Sequence, residues 1–107
     1  MRTLRSIKFY KKKTSKFIRS HILAHYSWKS MKDRCDRPKN NRYKYYGGKG
    51  ITYDFKWESF RGFLTDMGDP PICSLTGKRM TLDRIDKNKN YNKENCRWAT
   101  GCRTTYG

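Results

Sequence analysis

From Met80 the chain reads Met80-Thr81-Leu82-Asp83-Arg84-Ile85-Asp86, passes through Lys87-Asn88-Lys89-Asn90-Tyr91-Asn92, and returns as Asn95-Cys96-Arg97-Trp98-Ala99-Thr100. The two flanks have strand composition, and the polar segment between them is built from turn formers. This spacing predicts two strands joined by a polar loop, which would hold Asp83, Arg84 and Asn95 close together.

Upstream, Trp57, Phe60, Phe63, Leu64 and Met67 fall at helical intervals, predicting a short helix from about Trp57 to Met67 that Gly68 and Pro70-Pro71 stop. Ile51-Thr52-Tyr53 has strand composition. Before it, Asn41-Arg42-Tyr43-Lys44-Tyr45-Tyr46-Gly47-Gly48-Lys49-Gly50 alternates bases with aromatics and ends in turn-forming glycines. A surface of that kind can stack on bases and neutralise phosphates, while the same rings serve equally well as packing beside a glycine turn. Phe17, Ile18, Ile22, Leu23, Tyr26, Trp28, Met31 and Cys35 recur near helical spacing and predict one or two helices from about Ser15 to Asp36, ended by Pro38. His21 and His25 lie one helical turn apart with no acidic or cysteine ligand near them in sequence, which favours packing over metal binding. The expected core is Trp28, Met31, Trp57, Phe60, Phe63 and Trp98.

A chain of 107 residues has room for one core. Its 26 Lys and Arg against 9 Asp and Glu give a formal charge of +17, a field that selects polyanions as partners. Aromatic residues make up 15% of the chain, too many for a disordered polybasic tail. Residues 1–32 contain ten bases and no acid. Residues 1–14, with Arg2, Arg5, Lys8, Lys11, Lys12 and Lys13, read as a basic arm, and residues 15–107 as the folded domain. No apolar run approaches a membrane span and no signal-peptide segment follows the basic start, so the expectation is a soluble, cytoplasmic protein without a membrane partner. The four cysteines are expected as reduced thiols. Cys96 and Cys102, with Cys73 as a third ligand, are the set that spacing offers for zinc.

Six ordered blocks carry a family resemblance: Trp28-x-x-Met31-x-x-Arg34-Cys35, Tyr46-Gly47-Gly48-Lys49-Gly50-Ile51, Trp57-x-x-Phe60, Asp66-Met67-Gly68, Leu82-Asp83-Arg84-Ile85-Asp86 and Tyr91-x-x-x-Asn95-Cys96-Arg97-Trp98-Ala99-Thr100. Together they resemble the small HNH-like (His-Me finger) endonucleases common in bacteriophages. The resemblance implies an α+β domain with helices around a two-stranded ββα-metal-like element. It also implies a site in which an Asp-His pair supplies a metal ligand and general base, an Asn orients the loop, and a His or Asn on a following helix completes the metal site. Asp83 matches the Asp and Asn95 the loop Asn. The His position holds Arg84, an exchange frequent in this subgroup, and arginine cannot accept a proton from water. The stretch matching the final helix, Gly101-Cys102-Arg103-Thr104-Thr105-Tyr106-Gly107, offers no His or Asn. Asp83 therefore stands as a ligand for magnesium or manganese, with Cys73, Cys96 and Cys102 for zinc as the lesser alternative.

These residues favour binding over cleavage. The expected contacts to nucleic acid are the arm, Lys16, Arg42, Lys44, Lys49, Arg84 and Arg97, with duplex DNA first and RNA second. An RNA-bound structural subunit of a ribonucleoprotein and a metal-dependent nicking or homing endonuclease are the alternatives, and oligomeric state is left open.

Overall fold

The computed structural model describes residues 15–100. The expected arm at residues 1–14 and the stretch 101–107, with Cys102, lie outside the described residues. Among the described residues the architecture is α+β: three α-helices and several 3₁₀ turns pack against one two-stranded antiparallel sheet.

Helix α1, Lys16–Arg19, is a single turn whose first amides are met by the Ser15 hydroxyl, which accepts from the Ile18 N–H at 3.3 Å. The chain breaks helical geometry at His21 and restarts as α2, Ile22–Asp36. Ala24, Ser27, Met31 and Cys35 are the buried residues of α2 and follow the three-and-four spacing of one helix face.

The expected helix over 57–67 is divided. Phe55–Glu58 is a 3₁₀ turn capped by the Asp54 carboxylate, and helix α3 starts afresh as Phe60–Met67. Ser59 separates them with extended backbone and serves as the new N-cap, its hydroxyl accepting from the Gly62 N–H at 3.1 Å. The two pieces fit because position 62 has no side chain: a Cβ there would stand 1.9 Å from the Lys56 carbonyl oxygen. The expected strand at 51–53 is a correction as well. It is reduced to one parallel bridge, Tyr53 to Tyr91, flanked by the bonds Tyr91 N–H to Thr52 O and Asp54 N–H to Tyr91 O. A single bridge suffices to seat this segment on the hairpin loop.

Strands β1, Thr81–Arg84, and β2, Cys96–Ala99, pair antiparallel with Leu82 opposite Trp98 and Asp83 opposite Arg97. The buried cluster includes Met31, Ile51, Trp57, Phe60, Phe63 and Tyr91, with Trp28, Leu82 and Trp98 packed against it. All three indoles satisfy their N–H. Trp28 donates to the Trp57 carbonyl at 2.7 Å, Trp57 to Asp66 Oδ2 at 2.8 Å, and Trp98 to the Met67 carbonyl at 2.8 Å. The last bond satisfies a carbonyl in the final turn of α3 and fastens the sheet to that helix. Among the described residues no helix is long and apolar enough to cross a membrane.

Candidate nucleic-acid interface

The loop between the strands is held shut from inside. Asn95 is buried, and its side chain makes three hydrogen bonds: Oδ1 accepts from the Asp86 N–H at 2.9 Å, and Nδ2 donates to the carbonyls of Asp86 and Asn90 at 3.1 and 3.0 Å. From the other side Arg84 Nη1 donates to the carbonyls of Lys87 and Lys89 at 2.5 and 2.9 Å. Asn90 passes the restraint on, accepting from the Thr52 N–H at 2.9 Å. Loop 85–95 thus has a fixed shape and a fixed neighbour.

Between this loop and residues 45–51 lies a groove of about 490 Å³. Its back wall is a pair of stacked rings, Tyr46 and Tyr91, 6.2 Å apart at 22°. Two guanidiniums attend both rings: Arg34 Cζ stands 4.9 Å from the Tyr46 centroid and 5.9 Å from that of Tyr91, and Arg84 Cζ stands 5.2 Å from each. Arg34 also donates to the Tyr91 hydroxyl at 3.0 Å and to Ser30 Oγ at 2.9 Å, while its Nε is buried without a partner. Burial raises the Tyr91 phenol's pKa against the opposing pull of Arg34, so the ring stays neutral and its hydroxyl accepts from that guanidinium.

The close approach of residues 43–47 to α2 makes this packing feasible. A Cβ on Gly47 would lie 2.2 Å from the Cys35 carbonyl oxygen and 2.4 Å from Tyr43 Cε1, so only glycine lets the segment press against the end of the helix.

Among the described residues neither Arg34, Lys49, Arg84 nor Lys87 takes part in an ion pair. Acids elsewhere are engaged, as in His21 with Asp69 at 2.8 Å and Lys56 with Asp66 at 3.5 Å. Among the described residues the groove's single lining carboxylate is Asp83, bound by Arg97 Nε at 3.2 Å. The result is a concave site with surplus positive charge.

Of the residues expected to contact nucleic acid, Lys49 and Arg84 line the groove, Lys44 stands 5.3 Å from the ring of the lining Tyr45, and Arg97 joins through Asp83. Exposed Arg42 and Lys16 do not line it, Lys16 lying on α1. The structure brings Asp83, Arg84 and Asn95 to one hairpin, but their side chains diverge: Asp83 toward Arg97, Arg84 toward Tyr46 and Tyr91, Asn95 into the loop. Neither histidine reaches them. His21 packs on Phe17 and pairs with Asp69, and His25 lies against Trp28 and Phe60.

Among the described residues no three His, Cys, Asp or Glu side chains form a group able to hold a metal ion. Cys96 belongs to the apolar cluster, and burial pushes its thiol up to about 11. Cys73 sits in the 73–77 turn, where hydrogen bonds with Thr76 and Leu75 lower its pKa. Sequence reasoning gave no binding role to Arg34, Tyr91, Lys87 or Asn88. Tyr91 did carry a signal, as one large ring inside an otherwise polar turn.

Comparison with protein-family models, with curated proteins and with solved structures gives no match. The functional reading therefore rests on the site's own chemistry.

Proposed function

We propose that this chain binds nucleic acid, duplex DNA before RNA, on an HNH-like scaffold that binds without cutting. The observation that carries the reading is Arg84, which lines the groove on the rings of Tyr46 and Tyr91 beside Lys49 and Lys87 and has no ion-pair partner among the described residues, with Arg34 packed on the same two rings from α2. Taking cations partly out of water without a counter-charge is unfavourable, and ring quadrupoles offset only part of that cost. A phosphate supplies the missing charge and accepts from the guanidinium fork. The acid-free segment 1–14 adds further phosphate contacts, and the compartment that suits such a partner is the cytoplasm.

The residues here do not fit the divalent cation of a nuclease. Magnesium takes oxygen ligands in octahedral geometry, held by one or two carboxylates together with phosphates. Asp83 is the one carboxylate of β1, it is engaged by Arg97, and the adjacent side chain is a permanent cation that cannot serve as a base. Asn95 spends its amide on the loop.

The test is a titration of a fluorescent duplex at several salt concentrations, run beside a plasmid-nicking assay with magnesium or manganese. With about six phosphate contacts, the logarithm of affinity should fall with the logarithm of salt at a slope of roughly −5, and plasmid should stay supercoiled. Deletion of residues 1–14 should flatten that slope and leave the fold intact. Salt-independent binding overturns the reading, and robust nicking lost in Asp83→Ala replaces it with a nuclease. Tighter binding of folded RNA at equal salt transfers the same site to RNA.

A further inference from the structure

The groove itself narrows the identity of the ligand. Its volume of about 490 Å³ is that of a small-molecule site. A duplex, with two paired strands and their backbones, is too bulky to enter such a space and can only lie across its mouth. What fits inside is a single nucleotide unit.

The lining residues divide into the parts such a unit has. Tyr46 and Tyr91 are stacked on each other and attended by guanidiniums, so they form the wall and are not free platforms. Tyr45, on the same rim, is 56% exposed, with Lys44 Nζ 5.3 Å from its ring. It is the aromatic surface available for a planar ligand. Lys49 and Lys87 are exposed amines at the groove with Arg84 beside them, which suits a phosphate. Asn88 is fixed through its backbone, the N–H donating to Asp86 Oδ1 at 2.9 Å, and its exposed side-chain amide has no partner among the described residues. A carboxamide in that position can donate to and accept from a base edge. Ile51 and Leu82 supply apolar surface.

We infer that the groove takes one unpaired nucleotide, left out of or extruded from the duplex, with its base on Tyr45, its edge at Asn88 and its phosphate between Lys49 and Lys87. A base inside a duplex has both faces covered by its neighbours, so only an unstacked base can offer one to Tyr45. This inference rests on the nucleic-acid reading above and adds the structural feature that is recognised.

The experiment uses the full chain and three fluorescent probes of one sequence: a fully paired duplex, the duplex with one bulged adenine, and the duplex with an abasic residue in the bulge. The abasic probe has the same backbone distortion without the base. The bulged adenine should bind about tenfold tighter than the paired duplex, within the range of one base–aromatic stack, and the abasic bulge should lose most of that preference. Tyr45→Ala should bring the ratio of bulged to paired affinity to within about twofold, and Tyr45→Trp should keep it. Because Tyr45 is 56% exposed, the alanine variant keeps the core, and an unchanged thermal melt verifies that. Equal wild-type affinity for all three probes overturns the inference and leaves duplex binding standing. A tenfold preference that survives Tyr45→Ala overturns it too. Failure to bind any of the three overturns both readings.

Discussion

Two aromatic clusters share this small domain. In the one around Trp57, each polar edge meets a neutral carbonyl or a nearby carboxylate: Trp28 on the Trp57 carbonyl, Trp57 on Asp66, Trp98 on the Met67 carbonyl. In the other, Tyr46 and Tyr91 are served by Arg34 and Arg84, neither of which has an ion-pair partner among the described residues. The first is complete within the chain, and its rings are fixed edge to face, as in Trp57 with Phe63 at 4.9 Å and 84°. The second is complete in packing but not in charge. Ring content alone does not tell the two clusters apart in a basic sequence, but the partners of their polar atoms do.

The largest effect should come from the first cluster. Trp57 is fully buried, and Trp57→Ala removes an indole, takes from Asp66 the shorter of its two contacts, leaving Lys56, and opens a cavity. The expected loss is about 3–5 kcal/mol, enough to unfold a domain of this size near physiological temperature. A thermal melt at the wild-type midpoint would show that the cluster is not the core.

The loop that carries Tyr91 should come next. Asn95→Ala takes away the bonds to Asp86 N–H, Asp86 O and Asn90 O, and the expected destabilisation is about 2–4 kcal/mol by denaturant titration. Hydrogen exchange should quicken in loop 85–95 more than in α2 or α3. Uniform quickening would mean that the loop and the helices unfold as one unit.

The second cluster should respond in the opposite proportion. Arg84→Ala frees two loop carbonyls that solvent can reach, so its stability cost should stay near 1 kcal/mol, while duplex affinity should fall about tenfold. A variant that melts like Trp57→Ala, with affinity unchanged once folded, would assign Arg84 to the core side of the comparison.

The sequence exposed the first cluster better than the second, for a physical reason. Met31 and Cys35 lie on one helix face, and the Trp57–Met67 stripe is local, so periodicity reveals them, while the small buried residues Ala24 and Ser27 of the same face carry no such signal. The split at Ser59 was also written locally, as a serine three residues before Gly62, but the continuous apolar stripe outweighed it. The groove has no such local signature. It forms between residues 45–51 and 82–91, brought together by the Tyr53–Tyr91 bridge and the Asn90–Thr52 bond. Arg34 joins from α2 through Tyr91, a contact between residues far apart in sequence. Spacing placed Asp83, Arg84 and Asn95 on one hairpin correctly but could not say that their side chains point three ways.

A smaller effect concerns pH. His25 lies between Trp28 and Phe60 at the edge of the first cluster, and burial, with the nearby Lys29 charge second, lowers its pKa from the ordinary value. A histidine so shifted binds its proton less readily in the folded state than in the unfolded chain, so its contribution is fully present above about pH 6.5 and declines as pH falls toward the folded value. His25→Phe should flatten the midpoint-against-pH curve just below pH 6.5. A curve unchanged by that substitution would place the titration elsewhere.

The smallest change in stability should come at Asp83, and there the sign of the functional effect matters more than its size. Asp83 and Arg97 form a pair with both side chains well exposed, 44% and 60% respectively, so Asp83→Asn should shift folding stability by less than about 1 kcal/mol. Among the described residues the same carboxylate is the only acid lining the groove. Replacing it with a neutral amide removes a repulsion toward phosphate and releases Arg97 to make a contact of its own. Duplex affinity should therefore rise by about two- to fivefold at low salt, with the gain fading as salt screens the groove. A cation-dependent nuclease predicts the reverse, since losing its metal-binding carboxylate weakens the substrate complex when metal is present and abolishes cleavage. Measured with and without magnesium, one conservative substitution then reports whether this hairpin acts as a receptor for phosphate or as a metal centre.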